Sequence, residues 1–282
     1  MSDFVKQNSC DCNFTTKESW VILSPIEQSI KKKIESAGVP LKDWDISINY
    51  GIKTGFNDAF IISGEKREEI LNNCKTKEER KKTDDLIRPI LCGRDIKRYE
   101  YNFADLYLIN THNGVKEKNI PRIDIKDYPA IKKHLDEYWE KIEKRADQGD
   151  TPYNLRNCAY MDEFFQPHIG YCEIGIEMNA CMIESGIFIN NKIYMVTGKH
   201  LEFLIIFFNS KLFNKIILQS ANVTGGKGVD FMNKIHCIIP NQQQIAEAKK
   251  LLKNNSTDYE KDEFINNIYN LTPLQKEYLQ TI

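Results

Sequence analysis

The side chains best placed for chemistry in this 282-residue chain lie in one short run, Tyr50-Gly51-Ile52-Lys53-Thr54-Gly55-Phe56-Asn57-Asp58-Ala59-Phe60, followed by Ile61-Ile62. Glycine tolerates positive φ at 51 and 55, so the run reads as a turn that presents Lys53, Thr54 and Asn57 outward and buries Phe56 and Phe60. A lysine for phosphate beside Asn and Thr for a base edge is a set suited to reading duplex DNA. A tight loop before a strand is also an ordinary connection, so these residues alone leave both readings open.

Other clusters carry weaker chemistry. Arg94, Lys97 and Arg98 crowd the stretch Gly93-Arg94-Asp95-Ile96-Lys97-Arg98-Tyr99. Thr224-Gly225-Gly226-Lys227-Gly228 is glycine-rich but lacks the Gly-Lys-Ser/Thr ending of a phosphate-binding P-loop and follows a helix. It reads as a surface loop whose amides and Lys227 suit a backbone phosphate. Asp84 or Asp85 with Asp95-Ile96-Lys97 imitates the acids and lysine of magnesium-dependent nucleases, a pattern that arises by chance in a chain that is 28% charged. The five histidines and eight cysteines form no C-x-x-C pair and no metal-ligand spacing. The thiols, with no signal peptide or long apolar run, imply a reduced, cytoplasmic protein without a membrane span.

The elements that must hold these residues follow from periodicity. Ile26, Ile30 and Ile34 predict a helix over 27–37 closed by Gly38. Residues 44–48 and 59–62 read as two strands of one sheet joined by the glycine turn. Helices are expected over 65–73 and 76–86, an extended segment at Pro89, and a strand over 106–109. Tyr128-Pro129 opens a long helix with Ile131, Leu135, Tyr138 and Ile142 inward and Lys132, Lys133, Glu137 and Lys141 solvated. Asn190-Asn191 reads as the tip of a hairpin between 186–189 and 193–196. Residues 200–209 form a buried helix, 210–220 an amphipathic one, 236–239 a strand, and the last forty residues a helical segment. The fold class is therefore mixed α/β.

Globally, 39 Lys and Arg nearly balance 40 Asp and Glu, so no general positive field marks a nucleic-acid partner. Charge is uneven, though: residues 75–98 carry nine basic against five acidic side chains, and residues 241–282 five against six. Any cationic surface must be local.

Gly-Ile-Lys-Thr-Gly-Phe-Asn-Asp-Ala-Phe (51–60) and Ile-Leu-Cys-Gly-Arg-Asp-Ile-Lys-Arg-Tyr (90–99) resemble the two signature blocks of the TaqI-like C-terminal specificity domain. That domain is the target-recognition part of adenine-specific DNA methyltransferases and fused type IIG restriction-modification enzymes. The likeness runs from about Trp20 to Pro240. It takes in Ile34-Glu35 through Leu41, Tyr128-Pro129 with Leu135 and Arg145, Asn209-Ser210-Lys211-Leu212, shared also with type I specificity subunits, and the strand before Pro240. At Gln166-Pro167-His168-Ile169 a histidine stands where relatives usually have lysine, which puts a backbone contact there in doubt or makes it pH-sensitive.

The resemblance implies a target-recognition-domain-like fold over 20–240, with sub-regions 20–150 and 151–240, after a tail over 1–19 and before a C-terminal helical appendage over 241–282. It implies duplex DNA as partner, together with an upstream methyltransferase domain or subunit. The chain has no Pro-Pro pair and no glycine-rich strand-to-helix turn of the S-adenosylmethionine type. No cofactor is therefore expected here, and S-adenosylmethionine belongs to the missing domain. Lys53, Thr54, Asn57, Arg94, Lys97, Arg98 and Lys227 are the candidate DNA-binding residues. Because the two blocks recur among relatives that read different sequences, base discrimination is expected in loops such as 112–122 and 150–158. The alternative is a non-catalytic protein-interaction domain of similar build, or a magnesium-dependent nuclease.

Overall fold

The computed structural model describes residues 23–172, 177–219 and 228–281, and its contacts divide the chain into two compact units. One comprises residues up to Ile48, Cys172–Ala180 and Gly198 onward; the other comprises Asn49–Tyr171 and Cys181–Thr197. Each unit is built from discontinuous segments, which run across the sub-regions 20–150 and 151–240. Among the described residues no helix is long and apolar enough to cross a membrane.

The first unit opens with α1 (Pro25–Ala37). Ser24 caps it in a reciprocal box with Glu27, and its apolar stripe buries Ile30 and Ile34. Gly38 follows it in extended conformation, and is glycine because a Cβ there would press on the backbone of Cys237, where β1 (Val39–Pro40) pairs antiparallel with the strand His236–Cys237. The helix Leu201–Asn209 buries every residue except Glu202. Each large apolar side chain so buried contributes about 1.5–3 kcal/mol. Asn209 and Ser210 end it for a structural reason. The Asn209 amide accepts from Ala180 N–H at 3.0 Å and donates to Ala180 O at 2.8 Å, standing in for a neighbouring strand. Ser210 Oγ donates to Phe207 O and accepts from Phe213 N–H, turning the chain into the next helix. The C-terminal segment is helical, as Gln242–Lys253, Asp258–Ile268 and Pro273–Gln280. It packs into this core, with Phe264 against Phe203 and Tyr269 against Phe207.

The second unit carries the candidate residues. β2 (Ile46–Tyr50), in which the chain enters it, belongs to a four-stranded sheet with β6 (His168–Cys172), β7 (Ala180–Ile183) and β9 (Ile193–Gly198), in the order β2-β9-β6-β7. A separate sheet has the order β3-β5-β4-β8, from β3 (Ile61–Ser63), β4 (Ile87–Leu91), β5 (Leu106–Ile109) and β8 (Phe188–Ile189). β3 and β4 flank β5 antiparallel, whereas β4 and β8 run parallel.

Two expectations about these strands are corrected. The glycine turn joins strands of different sheets, not of one sheet, and its second half is a helical turn, Asn57–Phe60, before β3 begins. The segments around Asn190-Asn191 also part company, β8 entering one sheet and β9 the other, so no hairpin forms. In both places the apolar runs are right but their pairing partners are distant in sequence, which a local pattern cannot encode. Helices Gly64–Asn72, Lys77–Leu86 and Pro129–Asp136 stand where periodicity places them; the last breaks at Glu137-Tyr138 and resumes at Trp139–Ile142.

Candidate nucleic-acid interface

The glycine turn is held by a strand on one side and by a buried arginine on the other. Gly51 N–H donates to Ile193 O at 2.9 Å and Ile52 N–H to Ile189 O at 2.8 Å. Ile52 bridges Asn190 in parallel. Gly51 is not in the left-handed region; it is glycine because a Cβ would collide with the carbonyl oxygens of Ile189 and Asn190. Gly55 does adopt positive φ, at 71°, and the added Cβ would lie 3.1 Å from Arg145 Cδ and 3.2 Å from Asp147 Cβ.

Arg145 is itself buried. Its guanidinium donates to the carbonyls of Asp147, Pro152 and Asn154 and lies 4.2 Å over the Phe60 ring. Burial pushes its pKa down to about 10, with Asp147 partly opposing, and it stays charged at neutral pH.

Within the turn the candidates diverge. Thr54 is 3% exposed and its hydroxyl donates to Asn57 Oδ1 at 2.6 Å, so it braces the turn and faces no solvent. Asn57 is exposed at the first position of its helical turn, with its amide nitrogen left over for an outside partner. Lys53 is half-buried, its ammonium 5.4 Å over the Tyr50 ring. Phe60 is buried as expected, but Phe56 is only partly so and packs beside Tyr138 and Lys141.

The second block leaves β4 as a 3-10 turn, Gly93–Asp95. Asp95 is buried and accepts from Cys92 N–H at 2.7 Å, capping the turn. Asp84 pairs with Arg67. Of the acids in the acid-x-lysine pattern, Asp95 caps a turn and Asp84 is an ion-pair partner, whereas Asp85 is exposed. The Arg94 side chain is 76% exposed, with Nε 3.8 Å from Asp95. Ile96 bridges Tyr101 and Lys97 N–H donates to Glu100 O, closing a small loop that Tyr99 turns with φ of 67°. Lys97 is exposed on this loop, and the Arg98 guanidinium lies 5.4 Å over the Tyr99 ring. Lys227 lies outside the described residues.

What joins the blocks is β8. Leu91 aligns with Ile189 on one side, and Asn190 N–H donates to Leu91 O at 3.0 Å. Ile52 bridges Asn190 on the other. The three segments run the same way, so Lys53, the Asn190-Asn191-Lys192 turn and Arg94 all follow strand ends at one edge, a common place for ligand-contacting loops in parallel sheets. Sequence reading missed Lys192, which is exposed beyond Asn190. The sequence signal there is only a polar pair between apolar runs, a pattern that also fits a hairpin tip.

The two loops singled out for base discrimination are fastened together. The Asn154 side chain, buried, donates to Ile123 O at 2.9 Å, and Thr111 Oγ1 donates to Tyr153 O at 2.6 Å. Asn113 Oδ1 accepts from Asp150 N–H at 2.8 Å, and its amide donates to Asp150 and Asn157. His168 lies in the interior. It has no exposed surface, Nδ1 lies 2.9 Å from Gln166 O, and burial holds its pKa down against that hydrogen bond. A ring so buried in β6 presents no surface to a DNA backbone, which agrees with the doubt raised by its replacing lysine.

No protein-family model and no curated protein matches the chain. Solved structures do. The type IIL restriction-modification enzyme MmeI, solved in complex with DNA, matches at a TM-score of 0.55 and 11% identity, over 93% of this chain and 36% of that one. The type IIG restriction endonuclease BpuSI matches at a TM-score of 0.44 and 13% identity, over 87% of this chain and 33% of that one. The chain spans roughly a third of the length of either enzyme. Its mixed α/β architecture is thus a fold found in part of MmeI.

Proposed function

We propose that the chain is a DNA target-recognition unit of a restriction-modification enzyme, of the TaqI-like specificity type, and that it positions duplex DNA for an adenine-specific methyltransferase domain that uses S-adenosylmethionine. The observation that carries this reading is the convergence of Lys53 and Arg94, from blocks forty residues apart, at one strand-end edge of a fold shared with a DNA-bound restriction-modification enzyme. Exposed Arg94 and Lys97 can engage phosphates, and the Asn57 amide suits an adenine edge. Thr54 and Arg145 hold the platform. The joined loops around Asn113 and Asn154 offer a fixed polar surface for base discrimination, since a rigid loop loses little entropy on binding.

The chain alone is expected to bind duplex DNA weakly, with affinity falling steeply between 50 and 200 mM salt, and to transfer no methyl group. Filter binding at several salt concentrations measures the first and tritiated methyl incorporation the second. Absence of DNA binding by the chain, both alone and joined to a methyltransferase domain, would sink the reading.

A further inference from the structure

We propose that the Asn190-Asn191-Lys192 turn is a third phosphate-contacting element, and that Lys192 forms with Lys53 and Arg94 a cationic rim that follows one DNA backbone; this rests on the DNA-binding reading above. Ile52, Asn190 and the residue after Leu91 occupy three adjacent, parallel tracks. Neighbouring strands lie about 4.8 Å apart, so the outer two tracks are about 10 Å apart. One strand of B-DNA carries a charge every ~3.4 Å of helix axis and its phosphates lie farther apart along the winding backbone, so a rim of that width spans more than one phosphate.

The turn is built to hold its lysine in place. Asn190 is buried; its N–H donates to Leu91 O on one side, and Ile52 N–H donates to Ile189 O on the other. Asn190 Oδ1 accepts from Lys192 N–H at 3.1 Å, and Ile193 N–H donates to Asn190 O at 3.0 Å. The backbone under Lys192 is therefore fixed from both neighbours and by its own asparagine, and only the lysine side chain must be ordered on binding. Lys192 makes no ion pair among the described residues, unlike Lys118, Lys132 and Lys199. Of the acids in or beside the two blocks, Asp95 is buried, accepting from Cys92 N–H with Arg94 Nε 3.8 Å away, and Asp147 pairs with Arg156. Asp58, beside Asn57, is the exposed acid of the turn.

The test is the salt dependence of duplex binding by the full chain carrying Lys192→Ala, Lys192→Arg or Lys199→Ala, the last being a lysine paired with Asp45 in the other unit. Removing one phosphate contact lowers the slope of log K against log salt by about 0.9. Lys192→Ala is expected to show that loss at unchanged melting temperature, whereas Lys192→Arg and Lys199→Ala keep the wild-type slope. A wild-type protein that binds with a salt slope undiminished by Lys192→Ala overturns this inference and leaves the DNA reading standing. A wild-type protein that does not bind at 50 mM salt, alone or joined to a methyltransferase domain, overturns both.

Discussion

At the scale of single residues, the motif side chains divide by whether the fold has already used their polar atoms. Thr54 gives its hydroxyl to Asn57, and Asp95 gives its carboxylate to Cys92 N–H. Arg145 shows this division most fully. As a cation within a family-like motif it invites a phosphate role, yet its guanidinium is consumed by three backbone carbonyls and the face of Phe60. Arg145→Ala would leave the carbonyls of Asp147 and Pro152 without this donor, leave Asn154 O with only Gly149 N–H, and open a void above Phe60. A loss of about 3 kcal/mol or more in unfolding free energy is expected, since each buried acceptor left unpaired costs ~1–3 kcal/mol. Urea denaturation measures it. A loss below about 1 kcal/mol would mean that the 145–156 loop is held by something other than this arginine. Lys97→Ala, by contrast, touches an exposed side chain and is expected to leave unfolding unchanged while weakening DNA binding.

At the scale of elements, two glycines with the same letter in the motif do different work. Gly51 is demanded by backbone approach, because Ile189 and Asn190 carbonyls occupy the space of a Cβ; Gly55 is demanded by its positive φ. Gly51→Ala must push two chain segments apart and is expected to cost more stability than Gly55→Ala, whose left-handed strain is worth about 1–2 kcal/mol. Thermal denaturation of the two variants orders them, and equal losses would contradict the close-approach role. The same pair marks how far the sequence was legible. Helix positions, the strand at 106–109 and the glycine turn itself were readable because period, caps and turn residues are local signals. The partition of strands between sheets was not, since Ile52 meets Asn190 across more than a hundred residues. The candidate site follows the same rule: Lys53 and Arg94 stand out singly in the sequence, whereas the edge they share with Lys192 depends on β8 lying between them.

At the scale of the whole molecule, a chain of net charge −1 gains little from long-range attraction to DNA, and its pH response is set by buried groups. Burial lowers the pKa of His112, His134 and His168 below the ordinary 6.5, against hydrogen bonds to Ala59 O for His134 and Gln166 O for His168. Between their folded values and 6.5 the unfolded chain binds more protons than the folded one, so stability is full above about pH 6.5 and falls as the pH drops. Thiols act on the other side. Burial pushes Cys158 up to about 12 and raises Cys237, so above about pH 9 the unfolded chain loses protons that the folded one keeps, and stability falls as the pH rises. Carboxylates with lowered pKa act only at the acid extreme. Burial alone would raise Glu27, but hydrogen bonds from Tyr278, Ser24 and Gln219 hold it below its ordinary 4.5, and its contribution fades only under that value. The expected profile is a melting temperature that is flat between about pH 7 and 8.5 and declines on both sides. His168→Phe, which keeps a ring against Phe164 and removes a buried titrating site, should flatten the acid limb. Differential scanning calorimetry across pH 5 to 10 reads this directly, and a melting temperature still rising below pH 6 would show that these histidines are not held neutral by burial.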